Sequence, residues 1–368
     1  ANQLRHIRAG VDAERQDADR DALGAGHNDE VENQQQHDDR HAADDRDIEV
    51  TDPRERLQRF RALGAVFDDG NQRADEHADE QCAERDDDGV AEAKAGFNVI
   101  LHATNHTLDK GLTGVENCLN FWKTNYPEMA VLGINETEED YNDIYVYNKD
   151  GFKIAILNYT YGTNGIAIPA SKPYIVNMLD VDKITQDVTK AKEIADMVVV
   201  CPHWGTEYVY EPDSNQKYWT NLFLKLGVDV VIGAHPHVME PVETLTRDDG
   251  HQMVVYYSLG NFVSNQDKMP RMLGGMAKVT LVKSGTDNSC YIKQYSYTPI
   301  VTQKLFGTSL ITSYKLSDYN DTLASENAIR KDSGNSEFSL SYCQELCKLV
   351  FGDSYDESSK MVYVKLRD

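Results

Sequence analysis

Five short runs of apolar, mostly β-branched residues follow residue 95 and alternate with amphipathic segments. The runs are 96–103, 152–159, 197–203, 228–235 and 252–260. Runs of this length and composition predict buried strands. Segments 181–196 and 214–227 place apolar residues at helical spacing, and Gly227 suits a helix C-terminus. Strands that alternate with helices predict an α/β fold, with helices outside a layered sheet.

The first 95 residues differ in composition from the rest. They contain 12 Arg but one Lys, no Tyr or Trp, and 27 acidic against 13 basic side chains. Leu, Ile, Val and Phe number 13 of these 95 residues, under the roughly 20% below which charged chains usually stay unfolded. This predicts a disordered acidic segment, or a stretch translated in a non-native frame; we favour the second. Only residues 54–67 suggest an amphipathic helix.

We therefore divide the chain into three parts. Residues 1–95 are the anomalous acidic and Arg-rich segment, residues 96–304 are the α/β domain, and residues 305–368 are a C-terminal appendage without an assigned role. Within the domain, residues 277–300 predict a β-hairpin around the sequence KSGTDN.

The chain carries a formal net charge of −24, which excludes some classes of partner. Nucleic acid needs a basic surface, so we predict no nucleic-acid binding. An anionic substrate needs a cation or a local positive field that offsets the repulsion. No apolar run approaches the roughly 20 residues of a membrane span, and no signal-peptide pattern or anchor is visible.

Polar side chains follow four of the apolar runs, at the point where each predicted strand ends. Ligands of open α/β sheets bind at the carboxyl ends of the strands. We therefore expect seven residues to converge there: Asn105, His106, His203, Glu207, His235, His237 and Asn261.

This set of side chains favours a divalent metal. Neutral imidazole binds transition metals well, and amide or carboxylate oxygens favour Mn, Fe or Zn over purely soft metals. His235 and His237 are two positions apart, which directs both rings to one side if the segment is extended. Pro236 between them restricts the backbone.

Each residue also has a structural interpretation. A lone histidine such as His106 or His203 is usually a hydrogen-bonded core or surface residue. Glu207 is equally typical of a surface charge, Asn261 of a turn, and Asp109 of the start of the next helix. Four polar clusters at four successive strand ends favour the metal interpretation.

Four segments in this order resemble the CapA/PgsA family of capsule-synthesis proteins, which is associated with poly-γ-glutamate. They are AGFNVILHATNHTLDKG, VVVCPHWGTEY, VVIGAHPHVMEPVE and VYYSLGNFV, within roughly residues 93–300. That family is similar to calcineurin-like metallophosphatases. The resemblance therefore implies a layered αββα sandwich with a site for two metals.

The resemblance also implies roles for individual residues. Asn105 matches a metal ligand, and His106 matches the neighbouring acid or transition-state stabiliser. His203 and His235 match ligands of one metal, and His237 matches a ligand of the other. Glu207 joins His106 as a catalytic candidate, while Asp109 and Asn261 are further motif positions.

Two expected motifs are missing from residues 1–95. The family opens with a strand ending in Gly-Asp and continues with an Asn-Leu-Glu motif, and neither occurs there. We therefore expect missing or aberrant N-terminal strands, no bridging carboxylate, and one metal position rather than two. Two-metal catalysis depends on that bridge, so we predict an impaired site.

The sequence and the resemblance together support three hypotheses for the function. The first is a metallophosphatase-like hydrolase of capsule or poly-γ-glutamate synthesis, with one or two Mn, Zn or Fe ions and a phosphorylated or acyl substrate. The second is a non-catalytic accessory that binds the anionic polymer or membrane subunits of capsule synthesis. The third is a defective member with an intact C-terminal half. The resemblance implies a location at the extracytoplasmic face of the cell envelope.

Overall fold

The computed structural model describes residues 55–59, 89–90, 92–307 and 311–367 of the 368-residue chain. The strands are β1 Glu55–Arg59, β2 Val99–Leu101, β3 Ala130–Leu132, β4 Val146–Lys149, β5 Phe152–Thr160, β6 Met197–His203, β7 Val230–Ile232, β8 Val242–Thr246, β9 Gln252–Tyr256, β10 Leu273–Ser284, β11 Cys290–Lys304, β12 Ile311–Lys315, β13 Tyr355–Asp356 and β14 Met361–Lys365. The α-helices are α1 Gly111–Asn125, α2 Glu138–Asn142, α3 Val181–Ile194, α4 Ser214–Leu226, α5 Asp321–Glu326 and α6 Leu340–Phe351. Short 3₁₀ helices span Met269–Met272, Ala328–Lys331 and Gly352–Ser354.

The main sheet has the strand order β4-β5-β6-β7-β9-β8. Strands β5, β6, β7 and β9 are parallel, while β4 and β8 pair antiparallel at the two edges. All seven residues of β6 are buried, as expected for a strand covered on both faces. The parallel arrangement brings the carboxyl ends of four strands to one edge of the sheet.

Two different layers cover the faces of the main sheet. On one face, Val200 and Val255 pack with Val188 of α3 and Phe223 of α4. On the other face, the apolar side chains join those of β10, β11 and α6 in a larger core cluster. The predicted α/β class, with layered sheets and flanking helices, is confirmed.

The second sheet is built around the hairpin β10–β11. Its order is β1-β10-β11-β14-β13, and β12 also pairs with β11. Residues 277–300 therefore form the hairpin that the sequence predicts. Residues 311–367, which lie in the region predicted as an appendage, supply strands to this sheet and α6 to its core.

Two segments differ from expectation. The backbone of Glu55–Arg59 is a strand on the edge of β10, so the helix predicted over residues 54–67 is wrong at these positions; an edge strand offers unpaired backbone groups that bind an extended segment. Strand β2 pairs in parallel with β3 instead of joining the main sheet. Other parts of residues 1–95, including the positions expected for the two missing motifs, lie outside the described residues.

The side chain of Asn158 fastens β2 to the main sheet. Its Oδ1 accepts a hydrogen bond from Ala103 N at 2.8 Å, and its Nδ2 donates to the carbonyl oxygen of Cys201 at 2.8 Å. Gly133, with φ of 92°, allows this approach, because a Cβ there would overlap Asn158 and Ala103. This link places the loop after β2 at the edge of the main sheet where β6 ends.

Candidate metal centre

Two histidines and an asparagine form the centre of the candidate site. His203 ends β6, and its ring centroid lies 4.8 Å from that of His235, which follows β7. The Nε2 atom of His203 lies 2.8 Å from Oδ1 of Asn105. An amide oxygen only accepts, so His203 donates this hydrogen bond. Side chains from the ends of three separate strands, or from the loops that follow them, therefore meet.

Burial controls the protonation of the two central imidazoles. His203, His235 and Asn105 are 3%, 6% and 4% exposed. Burial, with the nearby His235, His237 and His106, lowers the pKa of His203 well below its usual range. Burial, with His237 and His106, lowers the pKa of His235 to about 3. Both rings are neutral at neutral pH, which is the form that binds metals.

The backbone turns sharply at the pair of histidines. His235 has φ of 108° and His237 has φ of 57°, both in the region that glycine normally occupies. The segment is therefore not extended, so the i, i+2 spacing alone does not decide where the two rings point. The turn still brings the two ring centroids to 6.2 Å, and Tyr208 N donates to the carbonyl oxygen of Pro236 at 2.8 Å. Backbone strain of this kind clusters at functional sites.

His237 belongs to a neighbouring group with Asn261 and Tyr208. Its Nδ1 lies 3.0 Å from Oδ1 of Asn261, whose Nδ2 donates to the carbonyl oxygens of His237 at 3.2 Å and Arg271 at 3.0 Å. The Tyr208 ring stacks on His237 with centroids 6.0 Å apart. Asn261 therefore orients His237 and links it to the segment before β10.

His106 forms a third group with Asp109 and Asn164. The Nδ1 atom of His106 lies 2.6 Å from Asp109 Oδ2 and 3.2 Å from Nδ2 of Asn164. Helix α1 begins at Gly111, and Asp109 is engaged with His106 rather than with the helix N-terminus. Asn164 also accepts a hydrogen bond from Asn105 Nδ2 at 2.9 Å. The His106 group is thus joined to the central one.

Glu207 lies at the rim of the site. It is partly buried and is not in a helix, because α4 begins at Ser214. Among the described residues, no hydrogen bond or ion pair joins Glu207 to the histidines. Its negative charge affects Tyr161: burial, together with the Glu207 charge, raises the pKa of Tyr161 to about 12. The Tyr161 ring centroid lies 4.7 Å from that of His235.

The donor atoms of the central group are of types that bind divalent metals. The Nδ1 atom of His235 is buried without a hydrogen-bond partner among the described residues. Two neutral imidazoles beside an amide oxygen are a suitable donor set for Mn, Zn or Fe. Within the described ranges, no three or more His, Cys, Asp or Glu side chains form a group suited to a metal ion. A metal at this centre would therefore depend on the amide oxygen of Asn105 in addition to the two imidazoles.

Four residues at this site, Tyr161, Asn164, Tyr208 and Arg271, were not predicted from the sequence. Tyr161 and Asn164 follow β5, so they occupy the same kind of strand-end position as the predicted residues. The polar segment after the run 152–159 was the available signal. Tyr208 and Arg271 had no comparable signal, because their positions depend on loop geometry and on the second sheet.

Comparisons with known proteins agree with the resemblance. A family model described as bacterial capsule synthesis protein PGA_cap matches residues 73–266. The chain is 32% identical over 193 residues to the PGA biosynthesis protein CapA of Bacillus subtilis, covering 52% of this chain and 48% of the relative. It is 30% identical over 177 residues to the capsule biosynthesis protein CapA of Bacillus anthracis, covering 47% and 41%. The chain thus spans about half the length of these curated relatives.

Two solved structures align with part of the chain at low similarity. The NAD nucleotidase of Haemophilus influenzae aligns with a TM-score of 0.38 and 14% identity, covering 59% of this chain and 42% of that one. A putative 5′-nucleotidase from Staphylococcus aureus aligns with a TM-score of 0.39 and 18% identity, covering 59% and 41%. No helix in the described part of the chain is long and apolar enough to span a membrane.

Proposed function

The chain belongs to the bacterial capsule synthesis protein family PGA_cap, and on that premise we propose that its site binds a divalent metal and acts as a hydrolase-like centre in capsule synthesis. The ion is Mn, Zn or Fe, held by Asn105, His203 and His235, with His237 beside it. The carrying observation is the pair of buried, neutral imidazoles 4.8 Å apart, one of them hydrogen-bonded to Asn105.

The side chains around this centre have separate tasks. A bound divalent ion supplies Lewis acidity and the positive field that an acidic chain needs for an anionic substrate. Asp109 holds Nδ1 of His106, which leaves Nε2 to give a proton to a leaving group or take one from water. The Tyr161 ring contacts His235, with ring centroids 4.7 Å apart, and restricts the orientation of that imidazole.

The substrate belongs to the same proposal. A phosphorylated compound of capsule synthesis, or poly-γ-glutamate itself, is anionic and suits a site with a metal. An acyl compound suits it through its carbonyl oxygen, which a metal can polarise. Membrane subunits of capsule synthesis are the proposed protein partners, and the cell envelope is the proposed location. We also propose that catalysis is weak, because a single metal position lacks the second ion that clamps the other reacting oxygen.

A second candidate function is a non-catalytic accessory that holds the anionic polymer or organises partner subunits. One observation on the described residues supports it, because no three or more of their His, Cys, Asp or Glu side chains form a group suited to a metal ion. Polymer binding that persists after chelation supports this accessory function.

The deciding experiment measures metal content by elemental mass spectrometry on untagged protein. We expect about one ion per chain in the parent protein, and near-complete loss in the double variant His235→Ala/His237→Ala, since each lost ligand weakens the site. His251→Ala is the matched control, because its ring contacts the carbonyl oxygen of Val228 at the far end of β7.

The outcomes separate the candidates. About two ions, both lost in the double variant, mean that further residues complete a two-metal site, and the hydrolase gains support. Phosphatase or amidase turnover that needs Mn or Zn and disappears in His203→Ala supports the hydrolase directly. A folded parent protein without metal rejects the hydrolase and leaves the accessory.

A further inference from the structure

Arg271 is a partly enclosed cation that contacts the group formed by His237, Asn261 and Tyr208. It lies in the 3₁₀ helix Met269–Met272 that precedes β10, and its side chain is 12% exposed. Its guanidinium carbon lies 3.5 Å from the centroid of the Tyr208 ring, which itself stacks on His237. Its carbonyl oxygen accepts a hydrogen bond from Asn261, the partner of His237.

Two separate links therefore hold this arginine at the site. The side chain is positioned through Tyr208, and the backbone is positioned through Asn261. Neither link uses the hydrogen-bonding edge of the guanidinium, because ring stacking leaves the N–H groups in the plane of the group. The links fix the location of Arg271 and leave part of its donor set for another partner.

The N–H donors of the Arg271 guanidinium differ in whether they have hydrogen-bond partners. Nη1 donates to Gln266 Oε1 at 3.2 Å and lies 3.4 Å from Asp267 Oδ1, a carboxylate that is 62% exposed. Nε is buried and has no hydrogen-bond partner within the described residues. A buried donor without a partner is costly, so such a group indicates a missing ligand.

We propose that Arg271 binds an oxyanion group of the substrate through Nε and Nη2, on the side of the site formed by His237, Asn261 and Tyr208. Guanidinium binds carboxylate and phosphate through two parallel hydrogen bonds, and this edge has the geometry required. The inference rests on the proposed function, which supplies an anionic substrate. It adds that the site recognises the anion through a protein cation as well as through the metal.

The charge of the chain makes this cation significant. The formal net charge is −24, so an approaching anion is repelled by most of the surface. A guanidinium that is largely enclosed interacts with an anion through less water than a surface lysine does, which strengthens the interaction. Arg271 can therefore provide selectivity for an oxyanion where the surrounding surface disfavours one.

The test compares three variants by isothermal titration calorimetry with inorganic phosphate and with an oligomer of γ-linked glutamate. Arg271→Gln removes the charge and the paired N–H donors. Arg271→Lys keeps the charge but cannot donate two parallel hydrogen bonds from a planar group. Lys268→Gln is the matched control, because it removes a nearby cation that is 41% exposed and whose Nζ lies 3.9 Å from Asp267 Oδ2. Near-ultraviolet circular dichroism checks folding, and Arg271→Lys carries the test if Arg271→Gln does not fold.

We expect Arg271→Gln to weaken anion binding by about tenfold or more, Arg271→Lys by a smaller factor, and Lys268→Gln by less than about twofold. Loss for phosphate alone identifies a phosphoryl substrate, and loss for the glutamate oligomer alone identifies the polymer carboxylate. A parent protein that binds neither anion, or an Arg271→Lys variant that binds both as tightly as the parent, overturns the proposal.

Metal content measured on the same samples separates this inference from the proposed function. Metal retained in Arg271→Gln with weakened anion binding supports both. A protein without metal whose anion binding still depends on Arg271 rejects the metal site and supports the anion site. Metal retained with unchanged anion binding rejects the role of Arg271 alone.

Discussion

Glu240 is a buried carboxyl group three residues beyond His237, with 0% of its surface exposed. Its Oε2 accepts a hydrogen bond from Gln216 Nε2 at 2.6 Å, and its Oε1 has no partner among the described residues. Burial raises the pKa of Glu240 to about 8, with a further contribution from Asp213 that the Gln216 hydrogen bond opposes. The group is therefore mainly protonated at neutral pH in the folded chain.

This raised pKa predicts how stability changes with pH. Below the ordinary value of 4.5 the carboxyl is protonated in both states, and between 4.5 and about 8 only the folded state keeps the proton. The free energy of unfolding therefore falls as pH rises through this window, by at most about 1.4 kcal/mol per pH unit from this group. Glu240→Gln removes the titration and should flatten the decline.

Denaturant unfolding at pH 5 and pH 8 measures the effect. The exposed Glu243→Gln is the control and should keep the pH dependence of the parent protein. A Glu240→Gln variant whose stability declines as steeply as that of the parent would show that Glu240 is ionised in the folded state.

Individual residues of the site also show what could be predicted from the sequence and what could not. Spacing along the chain identified His203 and His235 as neighbours at strand ends, and the structure brings their rings together. It did not indicate the left-handed backbone at His235 and His237, because histidine rarely adopts that conformation without tertiary support.

At the scale of elements, the loop after β6 is fastened to the start of α4. Asp213 is the N-cap of α4: its Oδ1 accepts from Gln216 N at 2.8 Å, and Gln216 Oε1 accepts from Asp213 N at 2.8 Å. Thr206 Oγ1 donates to the other Asp213 oxygen at 2.8 Å. This capping box therefore ties the loop that carries Glu207 to a helix.

We predict that Asp213→Ala lowers the free energy of unfolding by about 1–2 kcal/mol, because the helix loses its cap and the loop loses its anchor. Asp213→Asn keeps an accepting oxygen and should lose less. Thermal unfolding measures both variants. Hydrogen exchange should also rise at residues 204–210 in the alanine variant. Equal stability of the alanine variant and the parent would mean that Thr206 and the cap contribute nothing.

At the scale of the whole molecule, the C-terminal residues are part of the main apolar core. Phe338, Leu346 and Val362 are 0–1% exposed and belong to the cluster that also contains the inner face of the main sheet. Tyr297 of β11 donates to the carbonyl oxygen of Leu259 at 2.8 Å, which joins the second sheet to the loop that carries Asn261. The site loops and the C-terminal region are therefore connected.

Removal of residues 305–368 should consequently prevent cooperative folding. The truncated chain exposes the edge of β11 and the apolar surface that α6 covers. Phe338→Ala tests the same idea more gently, with an expected loss of about 3–5 kcal/mol. Differential scanning calorimetry should show no sharp transition for the truncated chain. A sharp transition near that of the full chain would make residues 305–368 a separable appendage.

The sequence by itself determined the α/β class, the β10–β11 hairpin, and which strand ends carry polar residues. These features follow from local periodicity, since a buried strand or an amphipathic helix must show its pattern within a few residues. Tertiary structure alone decided that β2 pairs with β3, that His235 and His237 share a turn, and that Tyr208 and Arg271 reach the site. Such contacts join residues distant in sequence, and packing between elements selects them without leaving a local pattern.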